Sequence, residues 1–252
     1  MSQNLENLPA DHETAPATPL GLRHMPLVIT RPTAVFARAE DTGAYGPALG
    51  IMLALAVLLG YAEVQTGLIE RVVDQQTEQK LAELEKAQSG VVDRLALKDA
   101  MDIVRKDAQF WAMIERLGAV VVTPLYMLTS FLVISSILYA LVAMSGRKPE
   151  WHTLMSVCVY AGVIELIAIA IRLAMMIAYR TTQVDTSLRM LGPLGKPSFW
   201  FAIDPFRIWF WVLIALGVTT TRQLSRRAAI TTCVVLCALS MGTRIGLEYW
   251  LT

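Results

Sequence analysis

The sequence predicts an all-α fold, a polytopic membrane bundle of five transmembrane helices with an extramembrane helical hairpin between the first and second spans. Three observations carry that prediction. Hydrophobic residues make up 55% of the 252 and charged residues 17%, against about 45–50% and about 25% in soluble domains; the mean hydropathy is +0.49. Five apolar runs are each long enough, or nearly so, to cross a hydrocarbon core that takes roughly 20 helical residues. A single long polar stretch, 63–117, stands between the first two runs and carries helical periodicity.

Residues 1–26 begin with a Pro-, Ala- and Thr-rich leader (Pro9, Pro16, Pro19) that has little apolar surface to bury. They are expected to form a disordered N-terminal tail, and no secretory signal is expected here. The membrane domain is assigned to 27–252. Leu27–Ile29 is an apolar patch, and Pro32 suits the first turn of a short helix because its missing N–H is no loss there. Such a helix, carrying Val35, Phe36 and Arg38, is too short to span; it could lie flat at the membrane surface or serve as a plain connection.

The first span is expected at about 44–62, entered through Tyr45-Gly46-Pro47, with Gly50 and Gly60 open to close approach by a neighbour. The polar stretch breaks at Ser89-Gly90. Ahead of the break, Ile69, Val73, Thr77, Leu81 and Leu84 form a weak heptad seam. Beyond it, Leu97, Met101, Val104, Ala108 and Trp111 form a stronger one. Two helices packed as an antiparallel hairpin follow from this, extending the first and second spans. The hairpin is acidic, with eleven acidic against eight basic residues, and could be a plain solvated structure or a docking arm.

The second span is expected at about 118–144, kinked at Pro124, with Thr129, Ser130, Ser135 and Ser136 able to bond across helices. The third, about 153–179, is the run around which the rest is organised. It holds Glu165 and Arg172, seven residues and about 700° of helix apart, hence on nearly one stripe. An ion facing lipid costs at least about 2.5 kcal/mol, so that stripe must face protein or water. The loop from Arg180 to Asp204 carries Phe199-Trp200-Phe201-like aromatic character suited to the interface. The fourth span, about 205–220, starts with Arg207, expected to snorkel outward. The fifth, about 229–249, holds Arg244 and, one turn later, Glu248.

Lys and Arg in the short loops (Arg147, Lys148, Arg222, Arg226, Arg227) place those loops and the N-terminus inside, by the positive-inside rule. The C-terminus then lies on the far side. A net charge of +1 offers no argument for nucleic acid. Cys158, Cys233 and Cys237 lie in apolar runs and His12, His24 and His152 outside them, so neither a metal site nor any cofactor is expected. No Walker, G-x-S-x-G, H-E-x-x-H or dinucleotide pattern occurs, and no enzyme is expected. The expected partners are the lipid bilayer and a membrane protein or a second copy of the chain.

Glu165, Arg172, Arg244 and Glu248 are the candidate site residues. As an intramembrane polar network they could carry ions or protons, with Asp204 a further partner, or simply fix helix packing. The leading expectation is a membrane scaffold or accessory protein, the alternative a small transporter or channel subunit; a lipid-handling role ranks third.

The pattern resembles the Yip (Ypt-interacting protein) family of five-span membrane proteins, including its divergent bacterial-type members. Ile29-Thr30-Arg31-Pro32 with Phe36 resembles the leader of bacterial members, and Tyr45-Gly46-Pro47 the opening of the first span in eukaryotic ones. Phe206-Arg207-Ile208-Trp209 followed by Ser225-Arg226-Arg227-Ala228 is similar to the bacterial fourth span and its turn. Gly43 stands where eukaryotic members carry an acidic residue, and the outer loop is much longer here. The resemblance implies a cytosolic N-terminus, a C-terminus across the membrane and, from the bacterial members, the inner membrane. Eukaryotic members bind Rab-type GTPases in vesicle trafficking, an activity not carried over because the matching residues are fold residues.

Overall fold

The computed structural model describes residues 20–39, 41, 43–88, 94–181, 184, 186–187 and 203–251; for 87–88, 94–97, 244 and 247–251 it describes the backbone alone. Among the described residues every element is helical and there is no strand. The expected break at Ser89-Gly90 and the aromatic segment Phe199–Phe201 lie outside them, as do residues 1–19. Residues 20–26, assigned above to the tail, include a helical turn at Leu22–His24, and Leu20 and His24 are buried.

Two short helices follow, α1 (Leu27–Thr30) and α2 (Pro32–Phe36), with Arg31 between them and Pro32 in the first turn of the second. Val28, Val35 and Phe36 are fully or almost fully buried, and α2 packs on α9 (Pro205–Thr220). That inward face explains why a segment with exposed Leu22, Leu27 and Ile29 stays folded: its apolar residues are shared between two sides.

α3 (Gly46–Gln65) carries the first apolar run. It does not run on into α4 (Leu68–Gln88). The chain turns at Thr66, whose hydroxyl donates to the Glu63 carbonyl at 2.7 Å, and at Gly67, whose φ of +64° is a left-handed conformation that favours glycine. The other junction behaves as expected. α5 (Arg94–Leu117) continues into α6 (Thr123–Met144) as one apolar-ended rod from Lys98 to Met144. A single wide turn at Gly118–Val122 joins them. Pro124 accounts for it: its ring would collide with the carbonyl four residues earlier, and the wider i→i+5 spacing relieves the collision.

α4 and α5 pack against each other, with Arg116 and Glu70 paired at 2.5 Å across them. On α4, Ile69, Val73, Thr77, Leu81 and Leu84 are each less exposed than the residues flanking most of them. On α5 the seam is Met101, Val104, Ala108 and Ala112; Trp111, expected in it, is 60% exposed, and the side chain of Leu97, also expected in it, lies outside the described residues. A four-residue step after Ala108 keeps the small Ala112 against α4 and turns the indole outward.

α7 (Trp151–Ala161) and α8 (Val163–Tyr179) share the third run, divided by a tightening at Gly162. A Cβ there would overlap the Phe131 ring of α6, so only glycine allows this crossing. α7 is the centre of the molecule, with every residue from Thr153 to Ala161 buried among α6, α9 and α3. The core contains Met52, Phe131, Leu138, Tyr160, Phe210 and Leu213. Outward faces are apolar too: Leu58 on α3, Leu125 and Val133 on α6. Helices apolar on both faces suit a hydrocarbon surround.

Three helices are long and apolar enough to cross a membrane: Gly43–Gln65, Lys98–Met144 and Trp151–Tyr179. α9 is apolar but has 16 residues, about 24 Å, short of a core about 30 Å thick. α10 (Arg226–Leu251) has 26 residues and packs on α9.

Candidate functional site

Glu165 and Arg172 do share one side of α8, and a cavity of about 230 Å³ opens beside them. Its other polar walls are Thr123 at the start of α6, Thr186, and Asp204 and Arg207 at the start of α9. Glu165 lies about 21 Å along the α7–α8 rod from Trp151 by helical rise, near its middle. Asp204 is held by two bonds: its carboxylate accepts from the Phe206 amide at 2.9 Å, capping α9, and from the Thr186 hydroxyl at 3.0 Å.

Arg207 is a correction to the expectation. It does not snorkel outward; its Nε donates to Ser240 Oγ of α10 at 3.3 Å and it lines the cavity facing Glu165. With acidic groups on one side and a hydroxyl on the neighbouring helix, the inward rotamer satisfies donors that an apolar surface could not. The partner of Arg172 is one the sequence did not reveal: Glu63 at the end of α3, 3.9 Å away. At that length, with Arg172 half exposed, the pair adds little stability. Glu165 makes no hydrogen bond or salt bridge among the described residues. The Arg244 and Glu248 side chains lie outside the described residues.

At the opposite end of the bundle the structure assembles a second polar group. The Tyr45 ring stands 6.0 Å from the His152 ring, and its hydroxyl lies 3.3 Å from His152 Nδ1. The His152 amide donates to Asp41 at 2.9 Å. Beside them the Glu150 carboxylate accepts from Thr153 at 2.9 Å and from the Gln223 amide at 3.0 Å, and Arg147 donates to the Arg222 carbonyl at 2.6 Å. The leader, the 145–150 turn and the 221–225 turn thus meet at one end. Of the residues singled out by resemblance, Gly46 and Pro47 form the first turn of α3, Phe206 packs on the core, and Trp209 is 44% exposed.

The three cysteines are free, and no metal-holding group of His, Cys, Asp or Glu occurs among the described residues. Long apolar helices around one buried central helix, with polar clusters at mid-depth and at one end, define a polytopic helical membrane protein. The sequence matches the Yip1 domain over residues 27–243, and the chain belongs to that family. Comparison with curated proteins and with solved structures yields no match.

Proposed function

We propose that the chain is a non-enzymatic membrane scaffold or accessory protein that engages another membrane protein, or a second copy of itself, through the α4–α5 hairpin. One observation carries the reading. With Met101, Val104, Ala108 and Ala112 turned to α4, α5 keeps a second apolar stripe on its other side: Ile103, Phe110, Ile114 and Leu117, with Trp111 beside it, all exposed. Those steps of seven, four and three residues are heptad spacing. A polar two-helix arm with a spare heptad stripe is complementary to a third helix. A photo-crosslinker at position 103, in intact membranes, is expected to capture a protein. Adducts at 103 no more abundant than at the polar position 75, exposed on the side of α4 away from α5, refute the reading.

The same proposal takes five spans, with the N-terminus cytoplasmic, the hairpin and C-terminus outside, and the bacterial inner membrane as location. In support, the leader and two short turns meet at one end, where Arg147, Lys148, Arg222, Arg226 and Arg227 supply the expected inward-side charge. An impermeant thiol reagent should label Gln88→Cys, in a chain with its native cysteines replaced by Ala, without permeabilisation. Labelling only after permeabilisation refutes this orientation.

The cavity at Glu165 favours a second reading, a transporter or channel subunit. It holds two acids and two arginines in a 230 Å³ space, the kind of intramembrane charge group that marks ion pathways. Reconstituted protein showing a flux that Glu165→Gln abolishes, with the fold kept, would establish it; no flux in proteoliposomes removes it.

A further inference from the structure

The exposed stripe of α5 does not stop where the hairpin meets the membrane. Ile103, Asp107, Phe110, Ile114 and Leu117 lead to Val121 in the wide turn, all of them exposed. On α6 the exposed line continues through Leu125, Thr129, Leu132, Ser136 and Tyr139 to Ala143. α4 packs on the other side of α5, and α3 and α7 on the other side of α6. The steps along the line alternate between four and three residues, which is heptad spacing. There is one exception: Val121 to Leu125 takes four where three is due. The wide turn at Gly118–Val122 absorbs that residue, because an i→i+5 turn holds one more residue than an α turn. The two halves of the stripe therefore stay in line. From Ile103 to Ala143 it runs about 60 Å by helical rise, about twice the thickness of a hydrocarbon core. Lipid can cover only half of it.

From this geometry we infer that the outward face of the α5–α6 rod is the contact between two copies of this chain, packed side by side, parallel and in register. The inference rests on the scaffold reading and names its partner. Three features select a second copy. A partner must cross the membrane and continue beyond it as a helix on the same side, and a second copy presents such a rod at the same depth and in the same direction. The charges match as well. In a parallel heptad pair the side chain at 107 enters a gap bounded by positions 103, 106, 107 and 110 of the other helix, so each Asp107 lies beside Lys106 of the other copy. Both residues are exposed, and neither makes a hydrogen bond or ion pair among the described residues. A pair shifted along its axis loses this match, so the two charges set the register. Finally, every seventh residue of the membrane half is small: Thr129, Ser136 and Ala143. Small residues let two helices approach closely in lipid. The two hydroxyls donate to the Leu125 and Leu132 carbonyls at 2.8 and 2.7 Å, so no unsatisfied donor enters the contact.

The test is photo-crosslinking of the full chain in intact membranes that hold two differently tagged copies, with the photo-reactive residue at 103 or at 132. Both positions are expected to give an adduct joining the two tags, and position 75, on the far side of α4, is expected to give none. Adducts at 103 with a different protein alone overturn the inference and leave the scaffold reading standing. No protein adduct at 103 removes both. An adduct at 103 within one chain, or lipid alone at 132, overturns the rod-to-rod contact. The register is tested by charge exchange, with the monomer–dimer dissociation constant read by analytical ultracentrifugation in detergent. Asp107→Lys gathers four lysines at the contact and Lys106→Asp gathers four aspartates. Each should weaken the dimer by about tenfold, as facing like charges do. The double variant Lys106→Asp with Asp107→Lys restores opposite charges and should bring the constant back to within about twofold of wild type. Both positions are exposed, so the fold of each copy does not depend on them. Single variants that dimerise like wild type, or a double variant as weak as the singles, overturn the inference.

Discussion

Replacing Gly60 with Ala tests the tightest crossing in the bundle. A Cβ at that position would overlap the carbonyl oxygen of Ala119 and lie 2.7 Å from its carbonyl carbon and 3.2 Å from Val120 Cα. All three are backbone atoms of the wide turn before Pro124, so no side chain can swing aside. Ordinary contact with that oxygen, 3.4 Å, is restored only if α3 and the turn part by about 1.4 Å, a gap that forfeits at least half of the dispersion attraction there. Overpacking of this kind costs about 1–3 kcal/mol, against a helix-propensity gain of up to about 1 kcal/mol for Gly→Ala. The net expectation is a loss of about 1–2 kcal/mol, or a Tm lower by about 2–8 °C at this chain length. Gly50→Ala, ten residues earlier on the same helix, is the control: nothing lies within 4 Å of its Cβ, so only the propensity gain should appear. Thermal unfolding of both variants in detergent, followed by size exclusion, decides the matter. If Gly60→Ala is as stable as Gly50→Ala, the close crossing of α3 with the wide turn is wrong.

Other perturbations follow from the same geometry. Asp204→Ala removes the α9 cap and the Thr186 bond and should lower stability by about 1 kcal/mol, measured by thermal unfolding; Asp204→Asn, which keeps an acceptor, should lose less. The buried Tyr160 hydroxyl has no hydrogen-bond partner among the described residues, so Tyr160→Phe should be neutral or stabilising in the same assay, whereas a marked loss would reveal a partner. Burial, with help from the charges of Arg23 and Arg38 and against the Gly21 carbonyl bond, holds His24 below its ordinary value of 6.5. The unfolded leader therefore binds more protons than the folded one between that lowered value and 6.5, and stability rises with pH across this window. The leader's contribution is complete above pH 6.5 and is lost as pH falls through the lowered value, which hydrogen exchange of residues 22–38 should report; His24→Gln should abolish that pH dependence.

Hydropathy and periodicity alone determined the helical class, the polar interruption at 63–117 and the need for a distortion near Pro124, because each is a property of a few consecutive residues. The α4 seam was legible for the same reason. The family was legible from short motifs at Tyr45–Pro47 and Phe206–Trp209. Pairing was not. Glu63 and Arg172 are 109 positions apart, and Arg207 meets Ser240 only because α9 and α10 lie side by side; whether an arginine near a helix end points to water or to a neighbour depends on what that neighbour offers. Trp111 fits a heptad as well as Ala112 does, and the choice fell to the one small enough to sit against α4. The joining of Tyr45, His152 and Asp41 likewise needed three chain segments at one end of the bundle. Periodicity reports which face of a helix is buried, but the identity of the surface that buries it is a property of the packed helices together.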